Sequence, residues 1–117
     1  MAPSESSRAS LCAYRIMWLF AMFDLPVGSK AQRKRYAQFR KGLLQLGFTK
    51  LQFSVYARHC PTEDSMRTHS RHVRAMLPSE GEVRLLGVTD RQFGKMEAYF
   101  GEKRVPPEVP PAQLMLF

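Results

Sequence analysis

Ile16-Met17-Trp18-Leu19-Phe20-Ala21-Met22-Phe23 runs directly into Asp24-Leu25-Pro26. Eight apolar residues in a row leave no polar face. As a strand, the stretch is buried on both sides, which marks a central strand of a sheet covered by helices. The carboxylate and the proline end the run, so Asp24 stands where the strand emerges. It is a negative charge in a chain crowded with Lys and Arg.

Downstream, Pro26-Val27-Gly28 reads as a turn and Ser29 as a helix N-cap. From Lys30 to Leu46 the pattern is helical, with Tyr36, Phe39, Leu43 and Leu46 forming an apolar stripe and Gly47 supplying the stop. Lys30, Arg33, Lys34, Arg40 and Lys41 fall within about a third of the helical circumference. Between Lys30 and Lys50 there is no acidic residue. The usual i,i+4 pairing is therefore missing, and these cations call for an anionic partner rather than a solvated surface of mixed sign.

Phe48–Arg58 alternates and is rich in β-formers. It is either one bent strand or two strands with a break near Gln52–Ser54. Pro61-Thr62-Glu63-Asp64 opens a second helix, with Met66, Val73, Met76 and Leu77 inward and Arg67, Arg71 and Arg74 outward. Glu82–Val88 is a further strand, and Asp90–Gly101 reads as a turn and a short helical piece carrying Phe93, Met96 and Phe100. The order β-α-β-β-α-β is the split βαβ plan. It predicts an α+β, ferredoxin-like sandwich, a four-stranded antiparallel sheet with both helices on one face. That plan leaves the second face of the sheet bare. An all-apolar first strand needs that face covered, most simply by a second copy of the chain, so a homodimer is expected.

Both ends differ from this middle. Residues 1–14 are small, polar and aperiodic and read as an extension, followed by a domain over 15–104. Residues 105–117 combine a Pro-rich, extended connector with the apolar Gln113-Leu114-Met115-Leu116-Phe117. That segment reads as an extra C-terminal strand docking at home or on another chain. Leu114, Met115, Leu116 and Phe117 are the candidate dimer or partner contacts.

At 117 residues there is room for one domain and not for two. Eighteen Lys and Arg against ten Asp and Glu give +8, and this favours a polyanion as partner, nucleic acid or an anionic membrane surface. No segment is long and apolar enough for a membrane span. Arg15 breaks the only stretch resembling a signal core, and Cys12 and Cys60 read as unpaired thiols, so the expected location is cytoplasmic. His59, His69 and His72 match no zinc-ligand spacing. Gly-rich phosphate loops and Cys-His nucleophile pairs are missing as well. Asp24 remains. A single carboxylate can anchor a largely hydrated Mg²⁺, and two copies meeting across a two-fold axis could hold metal between them. It can equally cap the turn before the Ser29 helix, as Asp does in Asp-x-Pro turns.

Several separated segments together carry a resemblance. They are Phe23-Asp24-Leu-Pro, the basic helix, Gly47-Phe48-x-x-x-Gln52-x-Ser54-Val55-Tyr56, Val83-Arg84-Leu85-Leu86-x-Val88-Thr89-Asp90-x-Gln92-Phe93, and the terminal Gln113-Leu-Met-Leu-Phe. In order and spacing the chain from Arg15 to Phe117 resembles the CRISPR-associated "Cas two" family, in the form found in type II systems. The resemblance implies a ferredoxin-like homodimer whose last strand pairs with the partner's sheet. It implies a role in spacer acquisition, with the dimer holding protospacer DNA between two integrase ("Cas one") dimers. It also implies a Mg²⁺-dependent endonuclease acting on single-stranded RNA or on DNA, with Asp24 as metal ligand and catalytic residue. The helix face of Lys30, Arg33, Lys34, Arg40 and Lys41 would then grip the duplex through phosphates rather than bases. An endoribonuclease of toxin-like type is the alternative. A sheet that stacks bases on its central aromatics would need Trp18, Phe20 and Phe23 exposed, and these read as buried.

Overall fold

The computed structural model describes residues 15–105. The amino-terminal segment 1–14 and the proposed terminal strand, with Leu114, Met115, Leu116 and Phe117, lie outside them. The elements are β1 (Met17–Asp24), α1 (Lys30–Gln45), β2 (Thr49–Gln52), β3 (Val55–Cys60), α2 (Glu63–Ala75), β4 (Glu82–Thr89), α3 (Asp90–Gly94), β5 (Ala98–Phe100) and β6 (Lys103–Val105). The first four strands form one sheet in the order β2-β3-β1-β4, every neighbour antiparallel. This is the split βαβ arrangement, an α+β ferredoxin-like sheet.

β1 is central, as its apolar sequence demands, and only Met22 and Asp24 of its eight residues escape full burial. Alternation along the strand sends Met17, Leu19, Ala21 and Phe23 to one side. There they meet Phe39 and Leu43 of α1, Val73 of α2, and Tyr56 and Cys60 of β3. Burying each large side chain contributes about 1.5–3 kcal/mol, so this layer carries most of the stability. The stripe on α1 packs as its period requires, with Phe39 and Leu43 buried and Tyr36 and Leu46 at the margin. Ser29 caps the helix in a reciprocal capping box with Gln32. At the far end, Gly47 takes φ +88 and the Phe48 and Gly47 amides return to the Leu43 and Leu44 carbonyls, a Schellman closure.

The segment Phe48–Arg58 resolves into two strands joined by Phe53–Ser54, with Ser54 in the left-handed region at φ +65. A register irregularity between Lys50 and Gln52 accompanies the turn.

One end of the sheet's second face is covered within the chain itself. Trp18 and Phe20 are 4% and 9% exposed within the single chain, because Phe93 of α3 folds over them. Its ring stacks on Trp18 at 3.9 Å between centroids and 7° between planes. A five-residue helix therefore supplies locally part of the cover expected from a second copy. It reaches only one end of the face. Leu86, paired with Phe20 across the ladder, is still half-exposed, and Met22 is only partly buried. Residues 98–105 depart from expectation: Phe100 lies in the β5–β6 hairpin rather than in a helical piece.

Candidate functional site

Asp24 ends β1 on the face carrying Trp18, Phe20 and Met22, the face away from α1 and α2. Its side chain is exposed and, among the described residues, makes no hydrogen bond or ion pair. The turn-cap reading therefore fails, since Ser29 and Gln32 close the start of α1 between themselves.

Three neighbours give the site its shape. The ladder sets Asp24 opposite Glu82, and Met22 opposite both Arg84 and Val55. Arg84 pairs through Nε with Glu82 Oε1, so one carboxylate at this end is offset by a cation and Asp24 is not. The Phe53–Ser54 turn closes the third side, pinned to β1 by the Phe23 amide donating to the Ser54 carbonyl at 3.0 Å. Together these residues line an open depression of about 340 Å³. Gly81 admits the arrangement. It sits at φ +91, and a Cβ there would lie 2.7 Å from the Asp24 carbonyl oxygen, so only glycine lets β4 begin this close to the end of β1.

The five cations of α1 are all exposed, and none is in an ion pair among the described residues. Arg33 donates to the Val27 carbonyl at 3.1 Å and so steadies the loop between Asp24 and α1. Arg35, off this face, pairs with Glu80 at 2.7 Å and anchors the helix to the loop before β4. On α2 Arg67 pairs with Asp64, while Arg71 and Arg74 donate to the neutral hydroxyls of Thr68 and Ser70 and keep their charge. α1 presents the densest run of such cations, five on one helix face. It lies in the helix layer, across the sheet from Asp24.

His69 and His72 meet edge to face at 5.9 Å between ring centroids, but among the described residues the three histidines form no metal cluster. His69 Nδ1 lies 2.8 Å from the Ser65 carbonyl, and His59 packs edge-on against Trp18. Among the described residues no group of three or more His, Cys, Asp or Glu could hold a metal ion. No helix among them is long and apolar enough to cross a membrane. Sequence reasoning singled out Asp24 and the α1 cations. It missed Glu82, Arg84, Phe53 and Gly81, which reach the site through strand register and one turn. The left-handed Ser54 has no local signature beyond the break in alternation.

Fold and site together define a ferredoxin-like α+β domain with a bare carboxylate at the end of its central strand and a cationic helix behind the sheet. The profile of the family described as CRISPR associated protein Cas2 matches residues 17–96. The chain belongs to that family. It is 50% identical over 101 residues to the "CRISPR-associated endoribonuclease Cas2" of Parvibaculum lavamentivorans, covering 86% of this chain and 100% of the relative. Proteins of the same name from Flavobacterium psychrophilum and Paracidovorax avenae are 40% and 42% identical, over 89% and 92% of this chain and 90% and 99% of theirs.

Proposed function

We propose that this protein serves CRISPR adaptation, acting as a cytoplasmic homodimer that grips protospacer DNA and bridges two integrase dimers. The observation that carries this reading is the face of Lys30, Arg33, Lys34, Arg40 and Lys41, five exposed cations without an ion-pair partner among the described residues. Like charges held together on one helix are costly unless an anion offsets them, and a phosphate backbone does so without reading sequence. The half-exposed Leu86 and partly buried Met22 leave apolar surface for a second copy beyond the reach of Phe93. Leu114–Phe117 supply the further dimer or integrase contact.

Asp24 gives the same protein a second capacity, Mg²⁺-dependent cleavage of phosphodiesters, which the names of its relatives favour. Mg²⁺ takes one or two carboxylates, keeps several waters and accepts phosphate oxygens, and it does not need a dedicated cage. Asp24, exposed beside an open depression, fits that demand, and Glu82 does so less freely because Arg84 holds one of its oxygens. The ion would polarise a phosphoryl oxygen and lower the pKa of water. Asp24 and the α1 cations stand on opposite sides of the sheet, so duplex gripping and cleavage are separable. The second reading, a single-strand endoribonuclease, rests on the Asp24 depression and on the names of the relatives.

Duplex binding measured against salt tests the scaffold. For every phosphate that is no longer neutralised, the slope of log K against log[salt] should become shallower by about 0.9. Replacing Lys30, Lys34 and Lys41 by Ala should flatten the slope and weaken binding whatever the sequence. An unaltered slope would remove α1 from the DNA interface.

A further inference from the structure

Phosphodiester chemistry at Asp24 leaves one wall of the depression unexplained. Phe53, at the tip of the β2–β3 turn, is 75% exposed, yet its ring is held in place. It stacks on Tyr36 at 5.9 Å and 21°, and the Tyr36 hydroxyl lies 3.3 Å from Ser54 Oγ. Ser54 is itself bound through its carbonyl to the Phe23 amide. Lys50 Nζ sits 5.7 Å from the ring centroid. With three-quarters of the residue bare, Tyr36 cannot be covering both faces of the ring. A held aromatic ring and a carboxylate share one depression, and the flexible, exposed Lys50 side chain lies over the ring from outside its lining.

We infer that Phe53 is a stacking platform for one unpaired nucleobase, and that it brings the backbone of a single strand to Asp24. The inference rests on the cleavage reading of Asp24 and adds to it a positioning residue for the single strand, which a duplex would not engage. A base has two π-faces and stacks on an aromatic ring whatever its identity, while bases inside a duplex have both faces occupied. Lys50 is placed to meet a phosphate of the same strand. Asp24, Glu82 and Arg84 line this depression with Met22 and Val55, and Met22 marks where it borders the surface left for a second copy. Phe53 is a positioning residue. It orients the strand and takes no part in bond breaking.

The test is equilibrium binding of the full chain, with chelator present so that nothing is cut. The probes are single strands of about twelve nucleotides carrying 2-aminopurine, one of RNA and one of DNA, and a duplex of the same sequence. Phe53→Ala should weaken single-strand binding about tenfold or more and leave duplex binding within about twofold, since base–aromatic stacking contributes on that scale. Phe53→Trp should restore single-strand affinity and quench 2-aminopurine emission. The RNA and DNA arms report which strand the platform prefers. An unchanged single-strand affinity in Phe53→Ala overturns the proposal, as does a parallel loss on single strand and duplex. A shift to a smaller species in sedimentation would assign Phe53 to the interface between copies and would also overturn it. Cleavage surviving in Asp24→Asn would refute the reading of Asp24 without touching the Phe53 binding result.

Discussion

The indole Nε1 of Trp18 donates to Asp90 Oδ1 at 2.8 Å, tying the middle of the sheet to the first turn of α3. The bond holds α3 where Phe93 can lie flat on the indole. Asp90 also favours the helix start by its charge, and Thr89 and Gln92 close a capping box around it.

Phe93→Ala should therefore uncover Trp18. A loss of about 3–5 kcal/mol is expected for removing a packed Phe, read in urea unfolding. Trp18 is the chain's one tryptophan, so its emission should shift to the red in the folded variant. An unshifted emission would mean that another surface, such as a second copy, covers it. Asp90→Ala should cost less, about 1–3 kcal/mol for one partly buried hydrogen bond.

Gly81→Ala forces a Cβ to within 2.7 Å of the Asp24 carbonyl at a φ that L-residues avoid. The left-handed conformation alone costs about 1–2 kcal/mol, and the clash with backbone adds to it. Calorimetry should show a clear drop in Tm. Gly94→Ala is the contrast, since a Cβ there meets nothing within 4 Å. It should be neutral, or stabilising by up to about 1 kcal/mol.

Asp24→Ala should leave unfolding within about 0.5 kcal/mol of the parent, because an exposed side chain without a partner among the described residues stabilises little. Mg²⁺-dependent cleavage of single-stranded RNA should vanish, and duplex binding should persist. Cleavage that survived the substitution would assign the activity elsewhere.

Acid should destabilise the fold through two histidines before the carboxylates titrate. Burial pushes His59 below its ordinary pKa, against the pull of Asp90 and with the push of Arg58. Burial likewise lowers His69, helped by Arg58 and His72 and opposed by its bond to the Ser65 carbonyl. The unfolded chain then binds more protons near the ordinary pKa of 6.5, so stability rises with pH there and falls as pH drops below it. Urea midpoints at pH 7.5 and 5.5 should differ in that sense, and His59→Gln should shrink the difference.

Much of this was legible along the chain. The unbroken Ile16–Phe23 run indicated a strand buried on both faces, and the stripe from Tyr36 to Leu46 with Gly47 behind it indicated a helix and its end. Asp24 stood out because a charge stopping an apolar strand is conspicuous without any structure. The cover over Trp18 was not legible. Phe93 looked like one more core residue of a short helix, and nothing local says which face of a sheet a five-residue helix will cross. The sequence left Phe53 either inside one bent strand or at a break near Gln52–Ser54, and only the turn at Ser54 decided for the break.

Periodicity and charge spacing are local properties, so the sequence alone determined the order β-α-β-β-α-β and the cationic face of α1, though not the β5–β6 hairpin. Strand register and turn conformation are settled only when distant segments pair. The tertiary structure therefore decided that Glu82 and Arg84 flank Asp24, that Gly81 must be a glycine, and that Phe53 stands bare at the rim. It also put Asp24 and the α1 cations on opposite sides of the sheet, because alternation along β1 assigns each residue a face but cannot say which face the helices will take.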